Sequence, residues 1–352
     1  MDLEKLVEKA IGSNLFTAPV LGPHLEKFLA GHGEQVRGLA REAVKAQVEH
    51  FYWIGCGNSL VNLWSGKYLL DRYSDTPSDC ATAYEFVWGA PKRLGSKSWV
   101  FLASWSGSTE DTVAALRHAR KQGARTIVLL NKADSLMGRE ADTVLAYESK
   151  ALYILPLAAV YLFALEYARL RGASGLEPVL EGLQRLPELL RRQYVEEKNP
   201  ARKLAEKFRK EKIFYTLGSG VLWGLAYKFG LTVFMENMRV HGSFIDAAEF
   251  RHGPAEMLDR EKPAFVVLKA GDECRPLVER VVGLLESRKV PLLVYDAARY
   301  EGVHPLLAPF VLMIPLQWFA VYSSLLRGIT DLDERALMGH GVLGRGQGVT
   351  WP

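Results

Sequence analysis

The chain is written twice. "YWIGCG" (residues 52–57) returns as "YTLGSG" (215–220) at an offset of 163, "WVFLA" (99–103) as "AFVVL" (264–268) at 165, and "TIVLL" (126–130) as "PLLVY" (291–295) at 165 again. The apolar runs "LPLAAVYLFAL" and "IPLQWFAVYSS" then align Pro156 with Pro315. Four matches in one order at nearly one offset make the chain two copies of one unit. Each copy reads as strand, G-x-G turn, helix, strand, loop, helix, strand and closing apolar helix. Strands that alternate with helices give an α/β fold with a parallel sheet covered on both faces, and such sheets bind ligands at the carboxyl ends of their strands. The expected boundaries are a first domain over residues 1–174, a charged helical connector over 175–208 and a second domain over 209–352. That division suits 352 residues of which 49% are hydrophobic.

Composition narrows the partners. Net charge is only +4, from 44 basic and 40 acidic residues, and no basic stripe carries interleaved aromatics, which argues against nucleic acid. Cys56, Cys80 and Cys274 are too few and too scattered for a disulfide framework or a zinc site, and they fit a reducing cytoplasm. The opening "MDLEKLVEKAIG" is amphipathic and lacks the apolar core of a signal peptide. Two apolar runs invite a membrane reading. Residues 151–165 are too few to span a bilayer; residues 305–326 are enough, but they include Pro309, Pro315 and Gln317. Both runs are expected as buried helices at a domain or subunit interface.

The copies differ in their loops. After "WVFLA" the first copy has "SWSGSTEDT" (104–112), with five hydroxyls and one glycine, followed by a helical period through Val113, Leu116 and Ala119. A turn from strand into helix exposes unpaired N–H groups at the positive end of the helix dipole, where an anion is welcome. One reading is that Ser108 or Thr109 merely caps the helix. The other is that Ser104, Ser106, Ser108 and Thr109 surround a phosphate. The second copy has "KAGDECRPL" there, without hydroxyls, so only the first copy keeps the candidate pocket. That asymmetry is expected of a divided active site, one half holding substrate and the other doing chemistry.

The second copy carries "MENMRVHGSFIDAAEFRHGPAEM" (235–257). An amphipathic helix expected over about 221–240 places Glu236 among Phe234, Met235 and Met238. A carboxylate in apolar company either acts as a general base or pairs with a cation, here Lys228 or Arg239. "EFRHGP" then sets Glu249, Arg251 and His252 together before Gly253 and Pro254 bend the chain. By itself His252 reads equally as a structural turn histidine. "GCGNS" (55–59) is a weak nucleotide signal, since Leu60 stands where a third glycine would complete the dinucleotide fingerprint.

Together these residues resemble the sugar isomerase (SIS) domain family, with a tandem pair covering about 51–344. The resemblance implies two flavodoxin-like three-layer sandwiches, each a parallel sheet flanked by helices. "SWSGSTEDT" looks like the family's phosphate loop and "GCGNS" like its first sugar-phosphate turn. "EFRHGP" is similar to the turn in the isomerase half of glucosamine-6-phosphate synthase and in the fructosamine-6-phosphate deglycases. Departures choose among these. The synthase carries a glutaminase domain with an N-terminal cysteine, whereas this chain opens with Asp2 and a short helix. Val233 and Phe229 replace a lysine and a glutamate of the synthase-like isomerases. The stretches "GVHPLLAPFVLMIPLQW" (302–318) and "DLDER" (331–335) look like the fructoselysine-6-phosphate deglycase branch.

The resemblance implies roles. Ser104, Ser106, Thr109, Ser59 and Gly57 hold the substrate phosphate; Cys56, Asn58, Trp105, Ser219 and Glu249 line the remainder of the site. Glu236 moves a proton between C1 and C2 of a ketoamine, and His252, supplied across a homodimer with shared active sites, assists ring opening. Water then releases glucose 6-phosphate and an amine. That chemistry needs no cofactor, and no metal-ligand spacing is present. The partner is a small phosphosugar, with no nucleic acid or membrane. Two alternatives use the same parts: an aldose-ketose isomerase or glucosamine-6-phosphate deaminase, and a non-catalytic phosphosugar sensor. The glycine-rich end "GHGVLGRGQGVTWP" (339–352) departs from the compact ends of relatives, so the released amine stays unnamed.

Overall fold

A computed structural model describes residues 3–335 and 337; the glycine-rich end singled out above lies outside the described residues. The chain divides into two compact units. One is His24–Leu180; the other joins the segment ending at Pro23 to Glu181–Asp333.

The first unit is built on a wholly parallel sheet of β1 (His50–Gly55), β2 (Ser78–Thr82), β3 (Ser98–Ser104), β4 (Arg125–Leu130) and β5 (Thr143–Ala146), in the order β2-β1-β3-β4-β5. Every residue of β1 and β3 is buried, as the unbroken apolar runs require of strands covered on both faces. On one face Trp53 stacks on Phe101 with ring centroids 4.6 Å apart, and Phe163 packs tilted against Phe101 at 4.5 Å. On the other, Tyr52, Ile54, Val100 and Leu102 pack with Ala115, Leu116 and Ala119 of the helix Glu110–Lys121. The run at 151–165 becomes the helix Ile154–Leu170, apolar all round and buried through Ala168. Strand order reverses between β1 and β3, the switch point where such sheets open a crevice beyond their carboxyl ends.

The second unit repeats the plan with β6 (Ile213–Leu217), β7 (His241–Ile245), β8 (Ala264–Lys269) and β9 (Leu292–Asp296), parallel and ordered β7-β6-β8-β9. This is the order of the first four strands, so the duplicated sequence is a duplicated topology. The expected pattern lacks β2, β5 and β7, whose short or polar sequences carry no apolar run. The run Pro305–Leu326 is long and apolar enough to cross a membrane, yet its most apolar window is entirely buried within the protein.

The described N-terminal segment groups with the second copy, where the boundary at 174 sets it with the first. Gln317 fastens it: its Oε1 accepts the amides of Thr17 and Ala18 at 3.1 and 2.7 Å, and its Nε2 donates to Thr17 Oγ1 at 2.6 Å. A glutamine in an apolar helix thereby satisfies the first free amides of the helix Ala18–Lys45. Ser13 Oγ adds a bond to Asp333 at 2.7 Å.

Candidate active site

At the end of β3 the chain turns from buried Ser104 into the helix Glu110–Lys121. Thr109 occupies the N-cap position, but its side chain makes no capping bond. Its hydroxyl lies 2.8 Å from Ser104 Oγ, which is 3.4 Å from Ser106 Oγ. Ser106 Oγ also accepts from the amide and hydroxyl of Ser108, both at 3.2 Å. The plain-cap reading therefore fails for Thr109: the hydroxyls form a cluster beside a helix end whose first amides no side chain of the loop caps. Gly107 holds the turn at φ 64°, and a Cβ there would lie 2.2 Å from Ser135 Oγ, so only glycine fits. Its carbonyl accepts from the Met137 amide at 2.9 Å, which pins the loop. Preset hydroxyls at the positive end of a helix form a cradle for an anion.

The turn after β1 is made the same way. A Cβ on Gly55 would meet the Leu60 amide at 2.9 Å, so glycine lets the helix Asn58–Tyr73 start close over the strand end. Gly57, at φ 52°, is its N-cap and offers no side chain, which leaves this helix end uncapped as well. Asn58 and Ser59 form its first turn. Cys56 Sγ reaches Asp111 Oδ2 at 3.8 Å and ties the two loops together, while burial raises the thiol's proton affinity and keeps it protonated. Trp105 stands partly exposed, with its indole Nε1 donating to the Ser149 carbonyl at 3.1 Å. Ser149 Oγ in turn contacts His24 Nδ1 at 2.6 Å. Neither Ser149 nor His24 carries a local signal, and sequence reasoning missed both as supports of the tryptophan.

In the second copy, the cations of "KAGDECRPL" are consumed internally. Arg275 grips Asp296 with two bonds of 2.9 and 2.8 Å, and Lys269 lies 3.2 Å from Glu279 and 3.3 Å from Asp296. Among the described residues, the hydroxyl-rich loop thus lies in the first unit, while its counterpart in the second is closed by ion pairs.

The stretch expected as one amphipathic helix over 221–240 is three. A 3-10 turn (Gly220–Leu222) leads to an α-helical turn (Trp223–Tyr227) and then to a π-helix (Lys228–Asn237). Its cause lies in β7. A Cβ on Gly230 would meet the Ser243 carbonyl at 2.4 Å, and one on Gly242 the Gly230 carbonyl at 2.1 Å, so helix and strand touch backbone to backbone. Thr232 Oγ1 donates to the Lys228 carbonyl at 2.6 Å, and the Met238 amide closes back on Val233 O at 3.2 Å. The wider register corrects the expected surroundings of Glu236. Phe234 and Met238 are buried, Met235 is 49% exposed, and Glu236 is half-buried rather than enclosed. Of the two expected cations, Lys228 is buried at 5% exposure and feels the charge of Glu236. Burial pulls its ammonium down to about 8, against that attraction.

Beyond β7, Ser219 Oγ donates to Asp246 Oδ1 at 2.7 Å, and the same oxygen takes the Ala248 amide at 2.8 Å. Ser219 thus anchors the turn that leads to "EFRHGP". There Phe250 is fully buried against Phe265, with ring centroids 5.5 Å apart, and this leaves Glu249, Arg251 and His252 exposed. Arg251 Nε donates to His252 Nε2 at 3.1 Å. Gly253, at φ 139°, takes a conformation open to glycine, and Pro254 starts the next turn. The structure thus brings Cys56, Gly57, Asn58, Ser59, Ser104, Trp105, Ser106 and Thr109 to the strand ends of one unit. Ser219, Glu236, Glu249 and His252 belong to the other.

Known proteins resemble the chain along most of its length. The family profile described as SIS domain matches residues 46–168. Fructoselysine 6-phosphate deglycase of Escherichia coli (strain K12) is 31% identical over 317 residues, covering 90% of this chain and 93% of that protein. Fructosamine deglycase FrlB of Bacillus subtilis (strain 168) is 34% identical over 298 residues, covering 81% and 90%. A crystal structure from Bacillus subtilis, provisionally described as a phosphosugar isomerase, superposes with a TM-score of 0.77 at 32% identity, over 87% of this chain and 99% of that one.

Proposed function

The chain belongs to the sugar isomerase (SIS) domain family, and from that premise we propose that it is a fructosamine-6-phosphate deglycase, hydrolysing a 6-phosphorylated ketoamine to glucose 6-phosphate and a free amine. The observation that carries this reading is the likeness to fructoselysine 6-phosphate deglycase along 90% of the chain, which takes in both the hydroxyl cradle and the Glu236–His252 segment. The phosphate enters the cradle of Ser104, Ser106 and Thr109, with Ser59 and the amide ends of both helices completing it. Trp105, Cys56 and Asn58 border the sugar. Holding the phosphate fixes C1 and C2 for proton transfer.

His252 passes a proton to open the sugar ring. The Glu236 carboxylate then takes a proton from C1, the C1–C2 bond becomes double and the C2 carbonyl becomes an enol hydroxyl. The proton that makes the enol hydroxyl is the one that returns to His252 as the ring opens and is handed to O2; returning the C1 proton from Glu236 to C2 restores the C1–C2 single bond and leaves a protonated imine at C1. Water adds to this carbon, and the C1–nitrogen bond breaks to release the amine and the aldehyde of glucose 6-phosphate. The exposed turn of Glu249 and His252 suits a homodimer in which His252 acts from a second copy of the chain. The scattered cysteines suit a cytoplasmic enzyme.

The test is an endpoint assay of the purified protein with fructoselysine 6-phosphate and with glucosamine 6-phosphate, reading glucose 6-phosphate through a coupled dehydrogenase and ammonia separately. Glucose 6-phosphate from the fructosamine without ammonia from the amino sugar is the expected result. Ammonia from glucosamine 6-phosphate alone would replace the deglycase by a deaminase.

Two further outcomes follow from the assigned roles. Ser106→Ala with Thr109→Ala should weaken glucose 6-phosphate binding roughly 10- to 100-fold, since each hydroxyl gives a hydrogen bond to a charged group. Unchanged affinity in calorimetry would move the phosphate elsewhere. Mixing Glu236→Gln with His252→Ala, each inactive alone, should restore about a quarter of wild-type activity in a two-fold dimer with shared sites. Half of the dimers are then mixed and each has one intact site. A mixture as inactive as its parts would confine each site to one copy.

A further inference from the structure

The structure assigns a second binding site, at the amino ends of β6 and β7, to a small polyanion: a phosphorylated or polycarboxylate molecule with two or more anionic groups. A cavity of about 690 Å³ opens there, within the size range of small-molecule sites. No residue given a role in the proposed deglycation lines it, so the inference stands apart from that reading. Among the described residues its wall sets Arg209, Lys210, Lys212, Arg239 and Arg327 against a single carboxylate, Glu211. Five cations against one acid leave +4 at the cavity, and 44 basic against 40 acidic residues leave the same +4 for the whole chain. The charges elsewhere therefore balance, and the excess is gathered here.

Backbone bonds build the walls. After the helix Lys198–Lys207 the chain turns through Arg209 and Glu211, whose amides donate to Glu206 O at 3.4 Å and Phe208 O at 3.1 Å, and then enters β6. On the other side the π-helix ends where the Val240 amide donates to Phe234 O at 3.2 Å. The His241 amide joins the two walls by donating to Lys212 O at 3.0 Å. Arg239 stands in this second turn at φ 52°, a left-handed conformation that its β-carbon disfavours. Half-buried Arg327 closes the third side, its guanidinium donating to the carbonyls of Phe208 at 3.0 Å, Glu211 at 2.8 Å and Ser323 at 3.2 Å. Those acceptors are neutral, so they orient the cation and leave its charge uncancelled.

Cations elsewhere on the surface find carboxylates within the chain. Just ahead of the cavity Lys198 and Arg202 reach Glu4 at 3.2 and 2.9 Å, and Arg171 reaches Asp75 at 3.0 Å. Among the described residues Arg209, Lys210 and Lys212 have no such partner. Like charges around a concave, low-dielectric wall focus their field on the space between them and draw in a counter-ion. An excess of four asks for several anionic groups rather than one. Apart from the His241 imidazole no aromatic ring lines the cavity among the described residues, so a nucleobase finds no stacking platform and charge is what recognises the occupant.

Calorimetric titration of the full chain with inorganic pyrophosphate, and separately with citrate, tests the site. At least one probe is expected to bind wild type, and Lys210→Glu with Lys212→Glu should weaken that binding at least about tenfold, since each lost cation removes a hydrogen bond to a charged group. Ser106→Ala with Thr109→Ala should keep it within about threefold, as should Lys92→Glu with Lys203→Glu, a reversal of two exposed lysines outside the cavity. Loss in the hydroxyl variant would place the probe in the first unit's loop and overturn the inference. Equal weakening by both lysine pairs would reduce the site to general surface attraction, and no binding of either probe would remove it. Should the cavity reversal unfold the chain, Arg209→Ala with Lys210→Ala decides in its place, and unchanged affinity there overturns the inference.

Discussion

Glu236→Gln is expected to lower kcat for a fructosamine 6-phosphate by about 10^2- to 10^4-fold, the range lost when a positioned base is removed. Affinity for glucose 6-phosphate should stay within about threefold, because glutamine keeps the shape of the side chain and the phosphate cradle lies in the other unit. Steady-state kinetics with calorimetry separates the possibilities. Equal loss of kcat and binding would make Glu236 structural, and unchanged kcat would place the base elsewhere.

Gly242→Ala is expected to cost about 3 kcal/mol of stability, at the upper end of overpacking penalties. Its methyl would lie 2.1 Å from the Gly230 carbonyl oxygen, a backbone atom with no rotamer to yield. Relief requires the π-helix Lys228–Asn237 to lift from β7, and with it Glu236. Loss of stability in chemical denaturation should therefore come with a lower kcat and an intact affinity for glucose 6-phosphate. Gly31→Ala is the matched control: it lies in the helix Ala18–Lys45, and a Cβ there meets nothing within 4 Å. It should leave activity alone and raise stability by about 0.4–1 kcal/mol. Wild-type stability in Gly242→Ala would show that the helix can move at little cost.

How much of this is legible in the sequence depends on whether the signal is local. Strands β1, β3 and β4 announce themselves as apolar runs and recur in the second copy, so the parallel sheets and the duplication read directly. The turn around Gly107 is legible too, because a strand, a turn and a helix start are neighbours in sequence. The edge strands do not: "SDCAT" and "HGSFI" are polar or glycine-bearing, and only pairing with β1 and β6 makes them strands. Gln317 has no reason to stand in an apolar run until Thr17 and Ala18, some 300 residues away, supply its partners. The π register is invisible because hydrophobic period locates a helix without fixing how many residues close its turn. The company of Glu236 is therefore less apolar than expected: Phe234 and Met238 are buried, but Met235 is exposed and Glu236 itself is half-buried.

The closed loop of the second copy has a meaning beyond loss of a pocket. Asp296 presents two oxygens to Arg275 and one of them to Lys269, much as a bound anion would. It does so tethered to the same chain, at an effective concentration far above that of a dissolved metabolite. One descendant of the duplication thus carries its own counter-ion as a permanent occupant. In the proposed reading, the second copy's loop therefore does not compete for the phosphosugar that the first copy's hydroxyl loop takes.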